Sequence, residues 1–445
     1  MNDVELGRSS GPAPTRRDFL VVLAARYAGI GFSFGISVLV AHGASQSVVG
    51  LFFWVIAISS FLAIPACFGL NSNVHGLLAI AETKDRVSGR RVALRGVAQS
   101  LMIGIAGVGV VLGICGLLPL PIEMLKGAQN QWLVLGVIAV YSSSLAITLV
   151  QAEVYRYSNQ HLLAGLSAGV LNNCFFVGGI GVLVICRQTI STNVILITLA
   201  VSGIFAAVPA AAVLLRDGMK GKGWSSGISI IRMSAPATAT NLCAYLVTQA
   251  QGIMGGVFLL SAQNAILGSA SRLSMLVAMS ATVVLQTPLA ASVRAMAAES
   301  RDEAQKIMAR AARNAVFVVA PFVLLIVLFG EDLLSVIFGS QYREGANTLR
   351  VLAIAALVNA AKGAPGQILL NSGHAHLQMR LTIAGALFAL VIFALAGLTR
   401  APIGLAYGVL AAVIFQAFIE RRAVKERLGM DIGFTFGRAW SIKRS

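Results

Sequence analysis

Residues 48–70 read VVGLFFWVIAISSFLAIPACFGL, an unbroken run of 23 residues without a charged side chain. A helix needs about 20 apolar residues to cross the hydrocarbon core of a bilayer. Because open strand edges cannot be satisfied in hydrocarbon, the run predicts a membrane-spanning helix. This run indicates the fold class because the rest of the chain contains further long apolar segments of the same kind.

The composition of the whole chain agrees with that segment. Of 445 residues, 57% are hydrophobic and only 11% are charged. A soluble domain carries about 25% charged residues. Too few charges are present to cover a water-facing surface, so the soluble classes of protein are excluded.

Twelve apolar segments can be drawn in the sequence, and they predict an all-α polytopic membrane protein. They are residues 19–41, 48–70, 92–118, 131–152, 162–186, 194–215, 235–260, 265–291, 315–329, 349–370, 381–398 and 403–418. Residues 301–314 are amphipathic, and we expect the ninth helix to begin there.

The net charge of +17 follows the membrane topology. With the N-terminus in the cytoplasm, 26 of the 34 Lys and Arg residues fall in inner segments and 5 in outer ones. This bias obeys the positive-inside rule. It predicts an even number of spans with both termini cytoplasmic. Because the topology accounts for the positive charge, we do not expect the protein to bind nucleic acid.

The two halves of the chain carry related sequences. ASQSVVG at 44–50 and AQNAILG at 262–268 are offset by 218 residues, and the same offset places Arg95 on Arg313. Six spans in each half make a parallel repeat. The predicted division is an N-terminal tail, a first bundle, a cytoplasmic linker, a second bundle and a basic C-terminal tail. These segments are residues 1–18, 19–215, 216–234, 235–420 and 421–445.

No pattern in the sequence indicates an enzyme. A phosphate-binding loop, a nucleophile elbow and spaced metal ligands are all absent from the sequence. We therefore predict a non-enzymatic protein with no catalytic residues, no metal and no cofactor.

Three cations fall inside the predicted spans: Arg26, Arg272 and Lys362. A cation at mid-membrane costs ~2.5–3.5 kcal/mol and usually faces a partner or a cavity. The alternative is that these side chains reach out to the headgroups. All 17 acidic residues fall in tails, loops or span ends, with Glu153 and Glu420 nearest to a span. Cations without a buried acid favour an anionic substrate such as a pyrophosphate and argue against a cationic drug.

Neutral polar residues are candidates for the same cavity. Tyr27 follows the first cation directly, and Asn241, Tyr245 and Gln249 recur at a spacing of four along the seventh span. That spacing places the last three on one helix face. They are read either as substrate contacts or as hydrogen bonds between helices.

Three stretches carry a family resemblance. The first comprises residues 39–52 with Phe68-Gly69-Leu70, and the second is Gly268-Ser269-Ala270-Ser271-Arg272-Leu273. The third is residues 337–346, IFGSQYREGA, continuing through 349–352 to 369–374. The chain resembles polysaccharide flippases of the multidrug/oligosaccharidyl-lipid/polysaccharide exporter superfamily.

The resemblance implies two six-helix bundles around a central cavity. It implies translocation of an undecaprenyl-pyrophosphate-linked oligosaccharide repeat unit across the bacterial inner membrane by alternating access, for O-antigen or exopolysaccharide synthesis. Contacts with a polysaccharide polymerase and a chain-length regulator are further expectations. Arg272 falls on the family's Arg, and Arg26 falls where related flippases carry a first-span basic residue. Lys362 is proposed on physical grounds alone.

Two other functions are weighed against this one. An ion-coupled multidrug antiporter of the same fold needs a buried carboxylate to carry its ion. A membrane-embedded glycosyltransferase or polymerase needs a catalytic acid or a sizeable outer domain. The longest predicted outer loops, residues 119–130 and 330–348, are too short for such a domain.

Overall fold

The first part of the chain folds into eight α-helices. The computed structural model describes residues 16–84, 88–117, 130–185, 191–219, 227–286, 288, 292 and 300–433. A π-helical turn, Leu166–Val170, joins the sixth helix to the seventh. The helices are α1 (Arg16–Gly43), α2 (Gln46–Ala66), α3 (Leu70–Lys84), α4 (Ser88–Leu117), α5 (Gln131–Tyr157), α6 (His161–Gly165), α7 (Leu171–Ile185) and α8 (Thr192–Met219).

The second part contributes seven more α-helices. A 3₁₀ turn, Ser340–Gly345, connects two of them, and no strand occurs anywhere in the described ranges. The helices are α9 (Gly227–Phe258), α10 (Ser261–Gln286), α11 (Arg301–Phe338), α12 (Ala346–Lys362), α13 (Pro365–Asn371), α14 (Ala375–Gly397) and α15 (Pro402–Leu428).

The helices have the length and apolarity of a multi-pass membrane protein. Within the described residues, nine helical segments are long and apolar enough to cross a bilayer, and Tyr27–Gly43 and Leu171–Leu183 are shorter apolar helices. The remaining long helix, α9, is not among the nine, although it has 32 residues. Its Asn and Gln residues lower its apolarity. Each of the twelve predicted segments overlaps the helices, but 162–186 is divided between α6 and α7 by the π-helical turn, and 349–370 is divided between α12 and α13.

Helix ends differ from the predicted segments in several places. The ninth span does begin early: α11 starts at Arg301 and runs for 38 residues to Phe338. The predicted linker 216–234 is partly helical, because α8 continues to Met219 and α9 begins at Gly227. Residues 220–226 of that linker lie outside the described residues.

The two halves meet where α2 packs against α10. Gly50 and Gly268, which the 218-residue offset relates, both lie at this crossing. A Cβ on Gly50 would overlap the backbone carbonyl of Ser261, and a Cβ on Gly268 would overlap the Phe53 ring. The missing side chains therefore allow the two backbones to approach closely, as small residues do in membrane helices.

A break after α12 sets the position of Lys362. Gly363 adopts a left-handed backbone conformation, with φ 77°, and ends α12 directly after Lys362. A Cβ at Gly363 would lie 3.0 Å from the carbonyl oxygen of Ile432. Glycine therefore suits both the conformation and the close contact. The chain then restarts as α13 at Pro365, so Lys362 occupies the last turn of α12.

Candidate functional site

A cavity of about 560 Å³ lies between α2 of the first half and α9, α10, α12 and α15 of the second. Its walls are largely apolar, with Phe53 and Ile56 from α2 and Met275 and Met279 from α10. Polar side chains project from several of these helices. They are Ser60, Tyr245, Thr248, Gln249, Gln251, Asn264, Ser271, Arg272, Ser274, Thr282 and Asn359. An apolar pocket with a few convergent polar groups is the usual form of a ligand site.

Arg272 is the only charged residue among the described residues that line this cavity. It lies about 11 residues, or ~16 Å, from the start of α10. Its Cζ atom is 5.7 Å from the centroid of the Phe53 ring, a cation–π contact. Arg272 forms no salt bridge with any acidic side chain in the described part of the chain. An unpaired guanidinium at this depth is costly, and an anionic ligand would offset that cost.

Arg272 also faces the first half of the molecule. It borders a second, smaller cavity of about 40 Å³ between α1, α2, α5, α7, α8 and α10. There the Asn172 amide donates a hydrogen bond to the Tyr141 hydroxyl at 2.8 Å, and the Ser202 hydroxyl donates to Asn172 Oδ1 at 3.3 Å. The guanidinium thus lies at the junction of the two halves.

Lys362 lies apart from Arg272 and does not line the cavity. Its ammonium nitrogen is 3.2 Å from Glu420 Oε2 on α15, and the two side chains are 16% and 5% exposed. Glu420 Oε1 accepts further hydrogen bonds from the Gln378 amide at 3.1 Å and the Gln416 amide at 2.5 Å. This is a buried ion pair with additional hydrogen bonds, which satisfies the lysine from within the protein.

The position of Glu420 corrects an expectation from the sequence. Glu420 was placed at the end of a span, away from any buried site, whereas it is only 4% exposed. The physical reason is that α15 continues to Leu428, almost three helical turns beyond the predicted end of the twelfth span. The protein therefore does contain a buried carboxylate, already neutralised by Lys362.

Arg26 and Tyr27 lie in α1. The side chain of Arg26 is outside the part of the structure that is described. Tyr27 is 45% exposed and does not line the 560 Å³ cavity. The structure therefore does not bring Tyr27 together with Arg272.

The polar face of α9 divides between two roles. Asn241 donates to Ser72 Oγ at 2.9 Å and to Asn71 Oδ1 at 3.3 Å, so it ties α9 to α3. Tyr245 lines the cavity and donates to the Ala57 carbonyl of α2 at 2.9 Å. The Gln249 side chain lines the cavity and forms no hydrogen bond with any other described residue. Of the three, Gln249 is thus the one left free for a ligand.

Sequence reasoning missed several polar residues of the cavity wall, among them Asn359 and Ser271. Asn359 precedes Lys362 by three residues on α12, so a search for polar neighbours at helical spacing would have found it. Ser271 lies next to Arg272 and offers no such signal, because single serines are common in membrane helices. No group of three potential metal ligands occurs among the described residues.

The comparisons with known proteins begin with a family match. The family described as "Polysaccharide biosynthesis protein" matches residues 223–347, which include Arg272. A search of curated proteins finds no match.

Solved structures share the fold over nearly the whole chain. The lipid II flippase MurJ, in an inward closed conformation, aligns with a TM-score of 0.71 at 11% identity, over 91% of this chain and 87% of that one. An inward-facing multidrug resistance MATE family transporter of the MOP superfamily aligns with a TM-score of 0.63 at 16% identity, over 92% and 98%.

A third structure is described by the polarity of its binding pocket. A MOP superfamily transporter from Pyrococcus furiosus, described as having a binding pocket of reverse polarity, aligns with a TM-score of 0.57 at 14% identity, over 93% and 94%. The chain therefore has the MurJ and MATE fold. The family match over residues 223–347 and the shared fold are in line with the resemblance that the sequence indicated.

Proposed function

We propose that the chain is a flippase for a polyprenyl-pyrophosphate-linked oligosaccharide repeat unit. It moves the repeat unit from the inner to the outer leaflet of the bacterial inner membrane by alternating access, for surface polysaccharide synthesis. The lipid carrier is undecaprenyl pyrophosphate, and both termini of the protein are cytoplasmic. The first half comprises α1–α8 and the second comprises α9–α15.

The observation that carries the proposal is Arg272, which has no acidic partner, in a cavity without Asp or Glu among the described residues of its wall. A guanidinium presents a planar fork of donors that matches the oxygens of a phosphate group. A pyrophosphate bound there supplies the counter-charge that no described side chain provides. The family match includes this residue, which supports the same assignment.

The other residues that the sequence predicts as substrate contacts have different roles in the proposal. Arg26 and Tyr27 are proposed to meet the substrate when the two halves rearrange. Gln249 contacts it in the cavity described above, and Tyr245 contributes its ring to the cavity wall. Asn241 and Lys362 are assigned no direct contact in this conformation, because both have partners within the protein.

An ion-coupled multidrug antiporter is the second candidate. Its support is the MATE fold and the buried carboxylate of Glu420. Two observations weigh against it. Glu420 already pairs with Lys362, and the cavity holds a cation and no acid. A cationic drug in that cavity would meet like charge. A non-enzymatic role is proposed over a glycosyltransferase because no acid lines the cavity.

The test is Arg272→Ala in cells that depend on the protein for surface polysaccharide. We expect surface polysaccharide to fall sharply while the amount of protein in the membrane stays normal. Arg343→Ala is the matched control, because Arg343 is exposed and pairs with Glu331 at 3.1 Å, away from the cavity. Normal polysaccharide in the Arg272→Ala strain would overturn the proposal. Drug efflux that depends on Arg272, without any polysaccharide defect, would favour the antiporter.

A further inference from the structure

The cavity offers free amide groups beside Arg272. Gln249 on α9 and Asn359 on α12 both line it, and neither side chain forms a hydrogen bond with any other residue in the described ranges. Each carboxamide carries two N–H donors and an acceptor oxygen. Polar side chains that face a cavity without a protein partner are available to a ligand.

Two buried polar atoms in the same wall lack partners as well. Gln251 is only 7% exposed, and its Oε1 atom accepts no hydrogen bond from the described part of the protein. The buried Ser271 hydroxyl next to Arg272 is likewise without a partner there. Leaving such groups unsatisfied costs free energy, so each calls for an explanation. A ligand with several hydroxyl or amide groups would supply the missing hydrogen bonds.

The free polar groups lie at similar depths along their helices. Gln249 is ~14 Å from the end of α9, and Arg272 is ~16 Å from the start of α10, which follows α9 directly. Asn359 is ~20 Å from the start of α12. Measured from the starts of their helices, Asn359 is therefore about half a turn further along than Arg272. A ligand that reaches from Arg272 to Asn359 needs an anionic end and a neutral polar end.

A sugar attached to a phosphate has this chemistry. Its ring hydroxyls both donate and accept hydrogen bonds, as carboxamides do. Its apolar C–H face suits the Phe53, Met275 and Met279 side chains of the same wall. No carboxylate occurs among the described residues that line the cavity, so nothing there would pair with a cationic amino sugar. The groups left for the sugar are uncharged carboxamides and a hydroxyl, which suit the hydroxyl and amide groups of a neutral sugar.

We infer that Gln249, Gln251, Ser271 and Asn359 form a subsite for the sugar joined directly to the pyrophosphate, a neutral hexose or N-acetylhexosamine. This inference rests on the proposed function, because Arg272 has to hold the pyrophosphate beside the subsite. It assigns to the cavity a selectivity for the first sugar that binding of the carrier alone would not give.

The test uses purified protein and three probes. They are farnesyl pyrophosphate and the same molecule carrying one N-acetylglucosamine or one galactose on its terminal phosphate. We expect at least one sugar-linked probe to bind about tenfold more tightly than farnesyl pyrophosphate. Asn359→Leu should reduce that preference about fivefold, the value of one lost hydrogen bond, and leave the affinity for farnesyl pyrophosphate unchanged. Gln249→Met should reduce the affinity for the sugar-linked probes by a similar factor.

The control and the contrary outcomes separate this inference from the proposed function. Gln151→Met is the matched control, because Gln151 is a fully buried, unpartnered glutamine on α5 that does not line the cavity. Should Asn359→Leu not fold, Asn359→Ala takes its place. No preference for either sugar, or variants that weaken all three probes equally, would overturn the subsite alone. Failure of every probe to bind the unaltered protein would overturn the proposed function and the subsite with it.

Discussion

Arg272 and Lys362 are both cations within the helical part of the second half, and their surroundings are opposite. Arg272 lines a cavity and has no acidic partner among the described residues, whereas the Lys362 ammonium is 3.2 Å from Glu420. A cation whose charge is matched inside the protein contributes to folding. A cation whose charge is not matched there is available to a ligand. The comparison teaches that depth in the membrane alone does not identify a binding residue.

The largest effect is expected from breaking the Lys362–Glu420 pair. Lys362→Met leaves a buried carboxylate without its cation, and Glu420→Gln leaves the ammonium without its anion. Each should destabilise the protein by about 3–5 kcal/mol. The measurement is the midpoint of thermal unfolding of purified protein in detergent.

The double variant tests whether that effect is pairing. Lys362→Met combined with Glu420→Gln removes both charges, and it should recover most of the lost stability. An unchanged unfolding midpoint of the single variants, together with a loss of transport, would mean that Lys362 contacts the substrate. The proposed difference in role between Arg272 and Lys362 would then be wrong.

The next effect concerns the shape of the Arg272 side chain. Arg272→Lys keeps the charge but loses the planar fork that matches a phosphate. We expect transport to fall about tenfold or more, with a stability equal to that of the unaltered protein. Flipping of a fluorescent pyrophosphate-linked lipid in proteoliposomes measures it. Full activity of the lysine variant would show that only a point charge is needed at this position.

A smaller effect is expected at Tyr245. Tyr245→Phe removes the hydrogen bond to the Ala57 carbonyl, which connects α9 with α2 across the halves. The loss should be about 1 kcal/mol of stability. Thermal unfolding measures it, with Tyr407→Phe on the exposed surface of α15 as the control. An unchanged midpoint would mean that this contact does not stabilise the described conformation.

The smallest effect is expected at Phe53. Phe53→Leu preserves an apolar wall but removes the ring that lies 5.7 Å from Arg272 Cζ. A cation–π contact at a site open to water contributes about 0.5–1 kcal/mol, or about two- to fivefold. Pyrophosphate affinity should therefore change only a few-fold, as measured by titration. A loss as large as that of Arg272→Ala would assign Phe53 itself a direct part in binding.

Much of the architecture is predictable from the sequence, because uncharged runs such as residues 48–70 and the bias of Lys and Arg act locally. Most predicted segments fall on a single helix, and Gly50 and Gly268, which the repeat relates, both lie where α2 crosses α10. The breaks inside segments 162–186 and 349–370 were not predicted. The early start of the ninth span at Arg301 was also predictable, from its amphipathic pattern.

The site was predictable only in part. Arg272 stands out because it is a cation in an apolar run, and it does line the cavity. Lys362 stands out by the same rule, yet its partner Glu420 is 58 positions away on another helix. Pairing of that kind depends on how α12 and α15 pack, and single-sequence patterns do not contain it. Likewise, the hydrogen-bond partner of Asn241, Ser72 of α3, can be identified only in the folded chain.

The central claim is that the unpaired guanidinium of Arg272 holds the pyrophosphate of the substrate. The most direct test is the affinity of purified protein for farnesyl pyrophosphate, compared between Arg272→Ala and the Lys362→Met/Glu420→Gln double variant. The account predicts a loss of about 10- to 100-fold for Arg272→Ala, the worth of charge-assisted hydrogen bonds, and an unaltered affinity for the double variant. Equal affinity in the unaltered protein and Arg272→Ala, or an equal loss in both variants, would contradict it.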